Sequence, residues 1–211
     1  MPSPELPVLT FRDAEAFETW LAEQPQAAAG AWLVFGKPGA VEATLSKSDA
    51  IDCALAHGWI DGQLGRVDAY YYKVRFTPRK ARSAWSQMNR ERVERLIADD
   101  RMQAQGLAEV TRAKDDGRWD AAYAPQGRAT PDADLVAALD AQPDARRFFD
   151  SLDAANRYAV LYRVHQARGP QRRAAKIAEI VTRLASGQAF HPRRKRRDQM
   201  ASPSKALASR I

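Results

Sequence analysis

The sequence predicts an α+β fold, with a small N-terminal antiparallel sheet and covering helices followed by a mostly helical C-terminal lobe. Three observations carry this. Gly30-Ala31-Trp32-Leu33-Val34-Phe35-Gly36 is a glycine-bounded apolar run of strand length. Two more strand-like runs, Trp59 to Val67 and Ala69 to Phe76, come after a helix-period segment. From Ser86 onward the apolar residues recur at helical spacing, interrupted only by loops.

The elements follow in order. Residues 7–10 read as a short strand, and Asp13 as the N-cap of a helix in which Ala16, Phe17, Trp20 and Leu21 share one side. That helix packs most simply on the sheet holding residues 30–36. Ser46 or Ser48 can cap a second helix carrying Ala50, Ile51, Ala54 and Leu55, which Gly58 stops. The runs 59–67 and 69–76 suit a hairpin turning near Arg66 to Asp68, with a bulge at Gly65 as the alternative. Within the second run Tyr70 and Tyr72 would share a face and Tyr71 would take the other.

Ser86 can cap a helix with Asn89, Val93, Leu96 and Ile97 on one side, and another helix runs from about Gln103 to Asp116, ending at Gly117. Residues 124–131 hold two prolines and a glycine without apolar period and read as a linker. The expected organisation is an α+β lobe at 1–125, a helical lobe at 130–187 and a basic, flexible tail at 188–211. In the helical lobe 132–141, 143–152, 153–167 and 171–186 read as four short helices. Ile177, Ile180, Val181 and Leu184 form a stripe in the last of them that must face a partner helix.

At 211 residues and 45% hydrophobic, the chain can bury a substantial core. A single cysteine, Cys53, excludes an intramolecular disulfide framework and agrees with a reducing, cytoplasmic compartment. The start, Met1-Pro2-Ser3-Pro4-Glu5, lacks the basic and apolar regions of a signal peptide, and no run reaches the ~20 apolar residues of a spanning helix. The expectation is therefore no membrane insertion. The formal charge of +7 sits mostly in the tail, where residues 186–211 hold seven Lys/Arg against one acid. Upstream, residues 1–65 carry three bases and nine acids, while 66–101 carry ten bases and five acids. That asymmetry either steers an anionic ligand or lets the two stretches attract each other.

The densest cluster of chemistry lies between two tryptophans. It runs from Gly58-Trp59-Ile60-Asp61-Gly62 through Phe76-Thr77-Pro78-Arg79 to Ser83-Ala84-Trp85-Ser86-Gln87-Met88-Asn89. With Gly117-Arg118-Trp119-Asp120-Ala121-Ala122-Tyr123 and Asn156-Arg157-Tyr158, these strings resemble the bacterial YdeI/OmpD-associated family, over about Phe17 to Gly187. The helices at roughly 130–187 resemble the part described as its OmdA-type domain. The resemblance implies an association with bacteriocin protection and resistance, without a known reaction or agreed catalytic residues. His57 departs from the family pattern, in which a cysteine or aromatic residue is expected before Gly58-Trp59.

Read for chemistry, the segment is a candidate ligand site. Asp61 and Asn89 would accept or donate hydrogen bonds to a ligand, Arg75 and Arg79 would hold an anionic group, and Trp85 would supply a stacking wall, with Trp59 also counted among the binding residues. The competing reading makes the tryptophans core and the polar residues a buried structural network. Asn89 falls on the apolar side of its helix, where a buried amide costs about 1–3 kcal/mol unless paired. No cofactor motif is visible, and the Cys53/His57 pair supplies only two of the ligands a metal needs. Ser83 and Ser86 lack a nucleophile elbow, so no catalytic residue is assigned. Arg193, Arg194, Lys195, Arg196 and Arg197 form the strongest electrostatic feature. They make a nucleic-acid-associated protein the second reading, joined by Lys73, Arg75, Arg79 and Lys80. The leading reading is a cytoplasmic resistance protein that binds an anionic ligand or a partner segment in a cleft. An unrecognised enzyme, in which Asp61 and the arginines polarise a substrate, is the third.

Overall fold

The computed structural model describes residues 5–25 and 27–192. The chain divides into two compact units, Met1–Pro125 and Gln126–Ile211. In the first, β1 (Val8–Leu9), β2 (Ala31–Gly36), β3 (Trp59–Arg66) and β4 (Tyr71–Pro78) form one sheet in the order β1-β2-β4-β3. The helices of this unit are α1 (Ala14–Ala22), α2 (Lys47–Ala56), α3 (Gln87–Ala98) and α4 (Ala104–Asp115).

The sheet is antiparallel except at one edge, where β1 runs parallel to β2. The cause is topological. The chain leaves β1 through α1 and returns as β2, and a strand-helix-strand crossover brings its two strands side by side in the same direction. Alternation then sorts the faces. Ala31, Leu33 and Phe35 of β2, with Val74 and Phe76 of β4, are buried under Phe17 and Leu21 of α1 and Ala50, Cys53 and Ala54 of α2. Phe17 meets Phe76 edge-on, ring centroids 5.8 Å apart. Each fully buried Leu, Val or Phe side chain here contributes about 1.5–3 kcal/mol.

The hairpin differs in detail from its sequence reading. Its turn occupies residues 67–70, where the Asp68 carboxylate accepts both the Tyr70 and Tyr71 amides at 2.7 Å. Tyr70 thus belongs to the turn and is exposed, Tyr72 packs on Phe35, and the Tyr71 hydroxyl accepts the Glu42 amide. The register shift falls between Asp61 and Leu64 rather than at Gly65, which instead lies under Lys73 and Trp32.

Helix starts follow the expected caps. Asp13, Ser46 and Ser86 accept the amides of Ala16, Asp49 and Asn89. The far side of α2 receives α3 and α4 through a second core of Leu55, Trp85, Val93, Leu96, Val110, Ala113 and Trp119. Two glycines set this approach. Gly58, at φ 77°, ends α2 in the left-handed region. Gly106 brings α4 so near the end of α2 that a Cβ there would sit 2.1 Å from the Ala56 carbonyl oxygen.

The second unit contains α5 (Ala133–Asp140), α6 (Pro143–Asp150), α7 (Ala154–Gln166) and α8 (Pro170–Ala185). Ile177, Ile180, Val181 and Leu184 are buried with Leu135, Leu139, Phe149, Val160 and Val164, as the apolar stripe requires. Arg173 of α8 pairs with Asp132 and Asp134 at the start of α5, each at 2.6 Å. Asn156 is fully buried at the start of α7. Its Oδ1 accepts the amides of Phe190 and His191, and its Nδ2 donates to Asp153. A buried side-chain amide so satisfied fixes where the segment after α8 runs.

Candidate functional site

The segment from Arg79 to Trp85 is pinned from several sides. Lys80 donates its amide to Ser83 Oγ, Arg118 donates to the Ser83 carbonyl at 2.9 Å, and Tyr123 donates its amide to the Trp85 carbonyl. The string Gly117 to Tyr123 is therefore the wall against which Ser83-Ala84-Trp85 packs, and Trp85 meets Trp119 edge-on at 4.9 Å. Trp85 is 1% exposed, so its ring is core.

Over that ring lies the Arg79 guanidinium, 3.7 Å from the centroid. Arg79 is 6% exposed, as unusual for a guanidinium as it is ordinary for a tryptophan. Its Nη1 donates to the Ala84 carbonyl at 3.3 Å, and its Nη2 is buried with no hydrogen-bond partner. Burial pushes the group down to about 10, opposed chiefly by the charge of Glu109. It is still a cation at neutral pH, held by stacking and one weak hydrogen bond.

Arg79 forms one wall of a cleft of about 220 Å³ whose other polar residues include His57, Gln105, Glu109 and Arg112. Trp59, Leu21, Pro78 and Ala108 supply apolar surface. The local sequence explains the assembly. The end of α2 presents His57 and Gly58, the Gly58 carbonyl accepts the Arg79 amide at 2.9 Å, and α4, drawn close at Gly106, presents Glu109 one turn later. Glu109 Oε1 accepts from Arg112 at 2.9 Å, while Oε2 is buried without a partner. Burial lowers the His57 pKa, against the pull of Glu18, so the neutral imidazole is favoured.

The sequence-derived constellation is only partly gathered here. Trp59 and Arg79 line the cleft, and Trp85 supports Arg79 from beneath. Asp61 pairs in register with Phe76, is half-buried, and lies 3.7 Å from Lys47 Nζ, adding a minor attraction to Arg79. Arg75 pairs with Trp32 on the opposite face of the sheet, away from Asp61. Asn89 is half-buried rather than enclosed, because it sits in the first turn of α3, where the Ser86 hydroxyl accepts its amide. Its side chain is therefore not forced to find a buried partner. Arg193, Arg194, Lys195, Arg196 and Arg197 lie outside the described residues.

Sequence reasoning passed over Glu109 and Arg112 and set His57 aside. One signal was present. Gly106 interrupts an otherwise helical pattern, and the residue three positions on shares its face. Among the described residues, no cluster of three or more His, Cys, Asp and Glu could hold a metal. Cys53 is fully buried beside Glu18, its thiol pushed up to about 12 mainly by burial, which makes it a poor nucleophile. Among the same residues, no helix is long and apolar enough to cross a membrane.

Two family models match, one on each unit. Residues 128–187 match the family described as Bacteriocin-protection, YdeI or OmpD-Associated, so the expected resemblance is shown over the OmdA-type segment of the second unit. Residues 9–109 match a Domain of unknown function (DUF8412), and that span holds every cleft residue except Arg112. No curated protein and no solved structure matches the chain.

Proposed function

We propose that the protein is a cytoplasmic, resistance-associated binding protein whose first unit holds a small anion-bearing ligand in the Arg79 cleft. The observation that carries this reading is a guanidinium buried at the cleft wall with Nη2 unpartnered. Desolvating a cation is costly, and a structural arginine ordinarily recovers that cost through full hydrogen bonding. Arg79 has only the Ala84 carbonyl and the Trp85 ring, and a carboxylate or phosphate oxygen would complete its set. Arg112 and Glu109 of the same lining pair with each other, which leaves Arg79 as the cation without a partner carboxylate. The resistance association rests on the description of the family matched by residues 128–187.

The test separates ligand binding from stability. Met keeps an unbranched apolar stem like that of Arg and has no charge to desolvate, so Arg79→Met should leave the melting temperature unchanged or raised. Wild-type protein screened by thermal shift against small carboxylates and phosphates should be stabilised by at least one of them, and Arg79→Met should lose that shift. No shift in the wild type would remove the reading.

A second reading is favoured by the sheet face opposite the helices. There Lys73 lies 4.9 Å over the Trp32 ring, with Arg75 adjacent in register, and the register places no acidic residue among β2 and β4 positions of that face. A cationic, aromatic sheet surface together with the basic composition of residues 193–197 suits a nucleic-acid strand.

A further inference from the structure

We infer that the ligand of the Arg79 cleft is a zwitterion, a free α-amino acid with an uncharged side chain. This rests on the reading of the cleft as an anion site and specifies what else the ligand carries. Two buried polar atoms of opposite character lack partners in the cleft lining: Nη2 of Arg79, a donor, and Oε2 of Glu109, an acceptor. The Glu109 side chain is 12% exposed, and its other oxygen is already taken by Arg112. A simple anion would satisfy Arg79 while leaving Glu109 as a repulsive neighbour. A ligand with a carboxylate and an ammonium group satisfies both orphans together.

Size and lining narrow the class further. About 220 Å³ is below the ~300–1,000 Å³ of pockets that take drug-sized ligands, and matches a molecule of amino-acid dimensions. The remaining surface comes from Leu21, Trp59, Pro78 and Ala108 together with the uncharged amides of Gln24 and Gln105, so it offers no further charge to a side chain. His57, kept neutral by burial, adds no competing cation beside the ammonium group.

Isothermal titration tests this with L-alanine, L-leucine and L-phenylalanine against their deaminated counterparts propionate, 4-methylpentanoate and 3-phenylpropionate. The expected result is that at least one amino acid binds about tenfold or more tighter than its deaminated acid, and that Glu109→Gln closes the gap by weakening the amino acid alone. Should Glu109→Gln fail to fold, the wild-type comparison decides by itself. Deaminated acids that bind as well as the amino acids would overturn the zwitterion while leaving an anion cleft. If neither series binds but inorganic phosphate does, the zwitterion is likewise overturned and the anion site stands. Binding of none of these probes overturns both.

Discussion

At the scale of single residues, Arg79 and Trp85 show how one stack serves two ends. The ring is core by any measure, yet its upper face is covered by a cation that the fold only partly satisfies. A folded-state pKa near 10, well below the usual guanidinium range, means that the folded chain disfavours the charge at neutral pH. Its contribution to stability therefore rises as pH climbs above about 10 toward the ordinary guanidinium range, the reverse of a salt-bridged arginine. A bound anion would offset this. His57 has the same sign at lower pH. Its folded pKa lies below 6.5 because burial disfavours the imidazolium more than Glu18 favours it. The unfolded chain takes up the proton first, so this contribution is complete above about 6.5 and is lost as pH falls toward the folded value. The melting temperature should decline over that window, and His57→Gln should flatten the decline when the two are compared by calorimetry from pH 7.5 to 5.

At the scale of elements, the cleft depends on how closely α4 approaches the end of α2. The Gln103 amide donates to the Ala56 carbonyl at 3.0 Å, and the missing Cβ of Gly106 lets the next turn pass the same oxygen. Intrinsic propensity alone would make Gly106→Ala stabilising by about 1 kcal/mol. The contact reverses the sign, because the added carbon meets backbone that cannot rotate away. Gly106→Ala should destabilise the protein by roughly 1–3 kcal/mol in urea titrations, as overpacking does. An equal or higher midpoint would show that α4 can move. In the second unit, Asn156 plays the organising part. Its role in the Asn156-Arg157-Tyr158 string is a buried amide bridging α7 to the Phe190 and His191 backbone, and the Phe190 ring is further held against Arg163 and Arg183 at 4.1 and 4.7 Å. No reading of helical period could assign that partner, because it lies 34 positions away.

At the scale of the whole molecule, the two units match two different family models, and the candidate cleft falls almost wholly in the one of unknown function. The segment matched by the bacteriocin-protection family and the candidate cleft therefore fall in different parts of the chain. The charge distribution adds the second reading of function, with seven Lys/Arg against one acid in residues 186–211. If those residues contact nucleic acid, deletion of 188–211 should sharply weaken retention on a single-stranded DNA column. The full chain should elute earlier as salt rises, since about five phosphate contacts give a steep salt dependence. Retention unchanged by the deletion and lost on Lys73→Ala/Arg75→Ala would assign the contact to the sheet face.

By itself the sequence determined the α+β class, the caps at Asp13, Ser46 and Ser86, the apolar stripe of α8 and the aromatic-rich segment that holds Trp59, Arg79 and Trp85. These are legible because they rest on local chemistry: a hydroxyl or carboxylate three residues before an amide, a period of two or of 3.6, and an aromatic-rich segment. Only the tertiary structure decided that Arg75 faces away from Asp61, that Asn89 needs no buried partner, that β1 runs parallel to β2, and that Glu109 and Arg112 join Arg79. Strand parity and crossover topology set the first and third, position in the first turn of α3 sets the second, and a close helix approach at Gly106 sets the last. A site formed from a strand end, a helix C-terminus and the face of a distant helix is a long-range contact, and its residues share no spacing in the chain.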